Sequence, residues 1–384
     1  MAQRLKTDWI LFATVVTMAS FGVLMLYSAS SIMADLNPRY GSSWYFVARQ
    51  LAWGVVAVVA MMALKRTHYR NYQTPAVAFG AIGVALILLA AVYFIDGEHH
   101  RWLRLRYIPG GVQPSELAKP ALVIFLAFFV TWRGRAINNP RYTLIPAALA
   151  VGLVIFAVET ADLGTAVVLG AAAMSVFFVA GLEWRYCLIA AAIAVLGLGV
   201  SIVKEPYRLG RFVRHYDPKF EFVSKFDKAG RIKAWAEQSL RTRDTNYQQQ
   251  QSEIAVGAGG VTGVGLMNGR QKLLYLPEAH TDFIYAVVGE ELGLVGSTAL
   301  LIGFIVILWR GLRAAFRIRD DFGRYLALGV TVLIVSQAFF NMSVAVGMGP
   351  TKGIPLPLIS YGGSSLLSTL ALLGILMNVS EHAG

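Results

Sequence analysis

Ten stretches of the chain are almost free of charge and long enough to cross a membrane: about 9–34, 45–64, 71–95, 117–132, 142–158, 163–182, 186–203, 283–309, 325–351 and 353–378. Crossing roughly 30 Å of hydrocarbon takes about 17 to 25 residues of helix. In that medium each backbone N–H and C=O must be bonded within its own segment, so the stretches fold as helices. The fold class this predicts is an all-α polytopic membrane protein with ten transmembrane helices. Composition agrees, because charged residues make up 15% of the chain where about 25% is usual in soluble domains. Disordered, collagen-like and disulfide-scaffold classes fall away as well. Hydrophobic residues reach 56%, the 37 glycines keep no strict period, and Cys187 is the single cysteine.

The first stretch follows Arg4 and Lys6, and Ser28-Ala29-Ser30 imitates a signal-peptide cleavage site. Its apolar run far exceeds the roughly 7 to 15 residues of a cleaved segment, so it reads as a retained helix. Ten crossings place both termini on one side. The N-terminus and the even-numbered connections carry fourteen Lys and Arg, from Arg4 and Lys6 to Arg319 and Arg324. The connections and span starts opposite carry six, among them Arg39, Arg49, Arg101 and Lys352. That excess predicts cytoplasmic termini. It also accounts for most of the net charge of +12 without a nucleic-acid partner.

Residues 204–282, between the seventh and eighth stretches, form a loop of 79 residues on the outer face, with thirteen basic and nine acidic side chains. Long loops are exempt from the charge rule, and this one is too long to be a mere link. Within it, Arg231 to Arg243, with Ile232, Ala234, Trp235 and Leu240, reads as a short amphipathic helix at the membrane interface or as a solvated cap.

Ionisable groups at the ends of lipid-embedded helices are costly, and so informative. On the outer side stand Glu116 and Lys119, Glu159 and Asp162, and Glu278 and Asp282. Glu290 and Glu291 follow one or two turns inside the eighth stretch, where they line a cavity or approach the headgroups. Glu116 and Lys119 are spaced to neutralise each other, as a structural ion pair or as a substrate contact. Pro114 and Ser115 before them suit a helix start. The glycine-rich run Gly257 to Gly265 lacks the spacing of either nucleotide-binding loop, so close backbone approach explains it better. The segment Tyr275 to Tyr285 is the sharpest: Pro277 turns Glu278, His280 and Asp282 toward the interface, directly before an apolar helix. Asp282 could cap that helix, but capping requires neither Glu278 nor His280. In Thr351 to Ser365, Pro355 and Pro357 interrupt the helix, while Gly362, Gly363, Ser364 and Ser365 allow close contact. Broken helices of this kind line cavities. Lys352 there is placed to pair with a phosphate or to snorkel to headgroups.

These segments, in this order, resemble the SEDS family of bacterial cell-wall polymerases over nearly the whole chain. The resemblance rests on Gln113 to Lys119, Asp162 to Ala166, Gln251 to Gly265, and above all Pro277 to Asp282 and Pro357 to Ser365. Pro277-Glu278-Ala279-His280 and Thr351-Lys352-Gly353 are closer to its division branch (FtsW-like) than to its elongation branch (RodA-like). The resemblance implies a ten-helix glycosyltransferase of the cytoplasmic (inner) membrane. Such an enzyme polymerises lipid II, the undecaprenyl-pyrophosphate-linked disaccharide peptide, into glycan strands at the outer face. A class B penicillin-binding protein transpeptidase and the division machinery are the implied partners. In the family the aspartate matching Asp282 is the proposed catalytic residue, and Glu116, Lys119 and Asp162 match positions tied to activity or to the central cavity. Arg101 and Trp102 carry over as well, although Glu98-His99-His100 before them departs from the small residue and Arg common in relatives.

A lipid pyrophosphate is already a good leaving group, so one carboxylate suffices and a hydrolase-like carboxylate pair is not demanded. Asp282 is expected to deprotonate the acceptor's 4-hydroxyl, a contribution of about 10²- to 10⁴-fold, with inversion at the donor carbon. Charge on the leaving diphosphate calls for cations in a low-dielectric site, and Arg101, Arg208, Arg211 and Lys352 are the candidates, arginine offering a bidentate fork. Glu278, His280 and Trp102 complete the expected substrate-binding set. No Asp-x-Asp pair occurs, so no metal site of the soluble nucleotide-sugar kind is expected, while a divalent cation (Mg or Mn) assisting Asp282 is compatible with the sequence. A transporter that flips the lipid precursor also uses buried carboxylates and broken helices, but it needs polar groups along its whole path. A non-catalytic scaffold leaves the outer polar cluster unexplained.

Overall fold

The computed structural model describes residues 7–96, 101–103, 111–204, 209–210, 213, 217, 245–349 and 353–383. Its α-helices are α1 Trp9–Leu36, α2 Tyr45–Arg66, α3 Pro75–Ile95, α4 Pro114–Arg133, α5 Ile145–Ala161, α6 Leu163–Val179, α7 Trp184–Lys204, α8 Thr245–Gly259, α9 Ile284–Arg317, α10 Asp321–Ala345 and α11 Gly363–His382. Among the described residues nine are long and apolar enough to cross a membrane, α5 being counted with the π-turn Pro140–Leu144 that leads into it. The apolar α6, at 17 residues, is the tenth segment. The helical membrane fold expected from the sequence is therefore present.

The helices sort by hydropathy. In α4, α10 and α11 mean hydropathy is 1.5, 1.7 and 1.5, and 78, 67 and 78% of the most apolar stretch is buried. In α3 and α7 it is 2.5, with 28 and 11% buried. Helices that face lipid must be apolar all round, whereas helices wrapped in protein can carry polar groups. Hence α4 packs on α3, α6, α10 and α11, α10 also meets α9, and α11 also packs on α2. This inner group builds the site.

Local chemistry sets the helix ends. Asp8 caps α1 through the Leu11 N–H at 3.1 Å, Thr74 with Pro75 opens α3, and Asp320 caps α10 through Gly323 at 2.9 Å. Pro120 lies inside α4, where it frees the carbonyl four residues back. That carbonyl, of Glu116, is taken by the Ser368 hydroxyl of α11 at 2.8 Å.

Gly293 breaks α9 with φ 62° and ψ −157°. Across the break run residues 260–265: Val264 and Gly265 donate to the Glu290 and Glu291 carbonyls at 3.0 Å, and Leu294 donates to Gly260 at 3.0 Å. A Cβ on Gly263 would stand 2.1 Å from the Glu291 carbonyl oxygen. The glycine-rich run thus serves close backbone approach, as the sequence suggested.

Two polar layers cap the bundle. At one end Arg310–Asp8 at 2.7 Å, Lys65–Glu381 at 2.9 Å and a hydrogen bond from Tyr69 to Asp320 tie the starts of α1 and α10 to the ends of α2, α9 and α11. Burial and the Asp320 carboxylate push the Tyr69 phenol up to about 12. Between the layers the core is apolar, with Leu122, Leu126, Val330 and Leu373 fully buried.

Two elements differ from expectation. The last helix begins at Gly363 rather than near 353, because Pro355 and Pro357 hold residues 353–362 out of the helix and Leu358 takes φ 69°. The described end of the long loop holds α8, which the sequence reading did not anticipate; it packs on α9, and Ser252 donates to the Ala345 carbonyl at 2.7 Å. The expected helix Arg231 to Arg243 lies outside the described residues, as do Glu98, His99, His100, Arg208, Arg211 and Lys352.

Candidate active site

Asp282 occupies the turn directly before α9 and is half-buried. It does not cap the helix: Phe283 holds the N-cap position, without a side-chain cap. The turn itself is pinned from α10 and from the segment before α11. Asn341 donates to the Asp282 carbonyl at 2.8 Å, the Tyr361 N–H donates to His280 at 3.0 Å, and the Ser360 hydroxyl donates to Thr281. The Asp282 carboxylate rests against Gly353, where an added Cβ would stand 2.5 Å from Oδ2.

Residues 353–360 knit the site together. Held out of a helix, the stretch offers its first three carbonyls to side chains. Gly353 accepts from Arg101 Nη2 at 3.3 Å, Ile354 from Asn341 Nδ2 at 2.7 Å, and Pro355 from Gln337 Nε2 at 2.8 Å. The Ile354 side chain packs onto Gly164 of α6.

Asp162 is the single residue between α5 and α6. It accepts from the Gly164 N–H at 2.9 Å and the Thr165 hydroxyl at 2.7 Å, and stands 3.9 Å from Arg101 Nη2. Backbone N–H groups of Arg101 and Trp102 donate to Asp96 at 3.0 and 3.1 Å, which fixes the start of that segment. The Arg101 side chain is 32% exposed, and its buried Nε has no hydrogen-bond partner among the described residues. The exposed part of the guanidinium offers N–H donors to an anion.

Glu116 and Lys119 lie beneath this surface, 1 and 2% exposed. Lys119 Nζ is 2.7 and 2.8 Å from the two Glu116 oxygens and 2.8 Å from Gln337 Oε1, so its three donors are occupied. Through Gln337 the pair reaches Pro355, and its geometry is that of a support for the site. Glu278 is exposed, with φ 57°, and accepts from the Thr281 hydroxyl at 2.9 Å. His280 is buried, its ring 4.6 Å from Phe46 and 5.8 Å from Tyr361. Burial pushes its imidazole below the ordinary histidine range, against the opposing pull of the Glu278 carboxylate.

The structure therefore gathers Asp282 and Arg101 at Gly353, with Asp162 behind Arg101 and Trp102 beside it. Glu278 and His280 share the Asp282 turn, and Glu116 with Lys119 forms the layer below. Sequence reasoning missed Asp96, Gln337 and Asn341. The signal was present for two of them, since Gln337 and Asn341 are polar groups four residues apart on one helix face inside an apolar stretch. Among the described residues no three His, Cys, Asp or Glu side chains converge as a metal ion requires.

The family model described as cell cycle protein, covering FtsW, RodA and SpoVE, matches residues 8–384. A probable peptidoglycan glycosyltransferase FtsW from Geobacter metallireducens is 37% identical over 98% of this chain and 95% of its own length. A solved chain from a peptidoglycan synthase complex that coordinates polymerization and crosslinking aligns with TM-score 0.74 and 26% identity, over 99% of both chains. The rod shape determining protein RodA of Thermus thermophilus aligns with TM-score 0.65 and 26% identity, over 98% of this chain and 97% of that one. The chain belongs to the FtsW/RodA/SpoVE family of cell cycle proteins.

Proposed function

We propose that this chain, a peptidoglycan glycosyltransferase of that family, polymerises lipid II into glycan strands, with Asp282 as the general base. The half-buried carboxylate removes the proton of the acceptor's 4-hydroxyl as that oxygen attacks the donor sugar carbon. The C–O bond to the lipid diphosphate breaks with inversion, and the negative charge passes to the departing diphosphate. Arg101, 32% exposed and oriented by Asp162, receives that charge. Arg208, Arg211 and Lys352 are the further cations of this role. Trp102, Glu278 and His280 border the acceptor path. Glu116 and Lys119 act from below through Gln337. No step is routed through a metal ion.

The observation that carries the reading is the meeting at Gly353 of a half-buried carboxylate and a partly exposed arginine. The apolar core beneath favours transfer over transport, because a flippase would need polar groups through the depth of the bundle. The Lys and Arg excess supports cytoplasmic termini and a site open to the outer face. FtsW-named relatives support a role in division. Likeness to a chain of a complex coupling polymerization to crosslinking supports a class B penicillin-binding protein as partner.

The test is purified chain with its transpeptidase partner and lipid II in detergent, where no bilayer exists to flip across. Glycan ladders on a gel are the expected result. Their absence, with lipid II transferred between leaflets once the chain is placed in vesicles, would contradict the polymerase reading.

A further inference from the structure

Two buried carboxylates of α9 lie outside the site described above. Glu290 and Glu291, 2 and 0% exposed, lie just before the Gly293 break of α9. The sequence placed them against a cavity or the headgroups; the structure turns them instead onto the loop that leads to Asp282. Glu290 accepts the N–H of Arg270 at 2.7 Å and of Gln271 at 3.2 Å. Glu291 accepts the Met267 N–H at 3.1 Å, the Ser28 hydroxyl of α1 at 2.7 Å and the Lys272 ammonium at 2.6 Å. Lys272, itself buried, also donates to Ser28 at 2.9 Å. Both carboxylates pack on Gly269, where a Cβ would stand 2.9 Å from Glu290 Oε2 and 3.0 Å from Glu291 Oε1.

A buried ion pair adds little net stability over apolar residues of the same shape, so its use must be sought in the conformation it specifies. The segment gripped here makes left-handed turns at three non-glycine residues, Met267 (φ 68°), Leu274 (φ 68°) and Glu278 (φ 57°). L-residues hold that conformation only when their surroundings over-determine it. The grip also closes a ring. Lys272 precedes Asp282, Glu291 follows it, and the two, 19 residues apart, are joined. Asn341, Ser360 and Tyr361 fix the part of the ring next to Asp282; the clasp fixes the far part.

We propose that Glu290, Glu291 and Lys272 are positioning residues for glycan transfer, a buried clasp that sets the turns of residues 267–278 and through them the place where Asp282 is presented. The inference rests on Asp282 as the base. Removing the clasp leaves every group of the proposed chemistry in the chain and displaces one of them.

The experiment uses the full chain with lipid II, kcat and KM measured per folded molecule, and hydrogen exchange followed over 264–282. Lys272→Met deprives Glu291 of its cation. Gly269→Ala displaces both carboxylates without removing a charge, and it carries the test should Lys272→Met fail to fold. For each, kcat is expected to fall about 10- to 100-fold with KM within about twofold. The acid limb of kcat against pH is expected to move, and exchange at residues 267–271 to quicken while α4 and α10 stay protected. Unchanged kcat and an unchanged acid limb would overturn the clasp, whether or not the loop exchanges faster. Asp282→Asn is run alongside. If it is inactive beside a fully active Gly269→Ala, the clasp alone falls; if it is fully active, the base assignment falls and the clasp's role with it.

Discussion

A methyl group on Gly353 would stand 2.5 Å from Asp282 Oδ2 and 3.3 Å from its Cγ, so the closeness of those two residues constrains the proposed base. Gly353→Ala is expected to push the carboxylate aside and lower kcat about 10- to 100-fold, with the melting temperature near that of the parent; steady-state kinetics and a melt check both. Arg101→Lys keeps the charge but loses the fork and the buried Nε donor. Its expected effect falls on kcat more than on KM, because the diphosphate charge it is proposed to meet develops in the transition state. His280 gives a signature in pH. Burial holds its imidazole below the ordinary value near 6.5, so above that pH it is neutral both folded and unfolded. Below about 6.5 the unfolded chain binds a proton that the folded chain refuses, and stability is lost as pH falls. Melts in detergent from about pH 8 to 5 should show that decline, and His280→Phe should lessen it, His68 supplying a part in the same direction. Asp282 was legible in the sequence because Pro277, Glu278 and His280 surround it just before an apolar helix. Gln337 and Asn341 carry only the weaker signal of their four-residue spacing, since they bear no charge and their worth depends on which carbonyl each meets.

Among the helices, α4 shows how a broken rule is mended elsewhere. Pro120 frees the Glu116 carbonyl, and Ser368 of α11 takes it at 2.8 Å. Ser368→Ala is expected to destabilise by about 1–3 kcal/mol, the usual loss for a buried orphaned acceptor. Pro120→Ala in the same background should return most of it by restoring the intrahelical bond, so the two substitutions are expected to be non-additive in melts. Freedom from charge located the membrane helices, because lipid enforces that pattern along each of them. The same pattern misplaced the start of α11, since residues 353–362 are as apolar as a helix and only Pro355 and Pro357 hold them out of one. It passed over α8 as well, where the run Gln248 to Gln251 has no apolar period and the helix owes its place to packing on α9.

For the whole molecule, polarity is arranged by depth. The most polar of the spanning helices are the most buried, two polar layers close the ends, and apolar side chains fill the space between. The proposed cytoplasmic termini predict that a cysteine at the exposed position 274, introduced as Leu274→Cys, reacts with an impermeant thiol reagent from outside. Cys187 is buried and the only native thiol. Labelling from the cytoplasm alone would reverse the topology and put the site on the wrong side for an externally displayed glycan. Asp282 is the residue whose loss is most telling. In purified chain with its transpeptidase partner and lipid II, Asp282→Asn should keep the fold and the melt while ladder synthesis drops about 10²- to 10⁴-fold, the range for loss of a general base. Ladders of undiminished rate and length from that variant would contradict it.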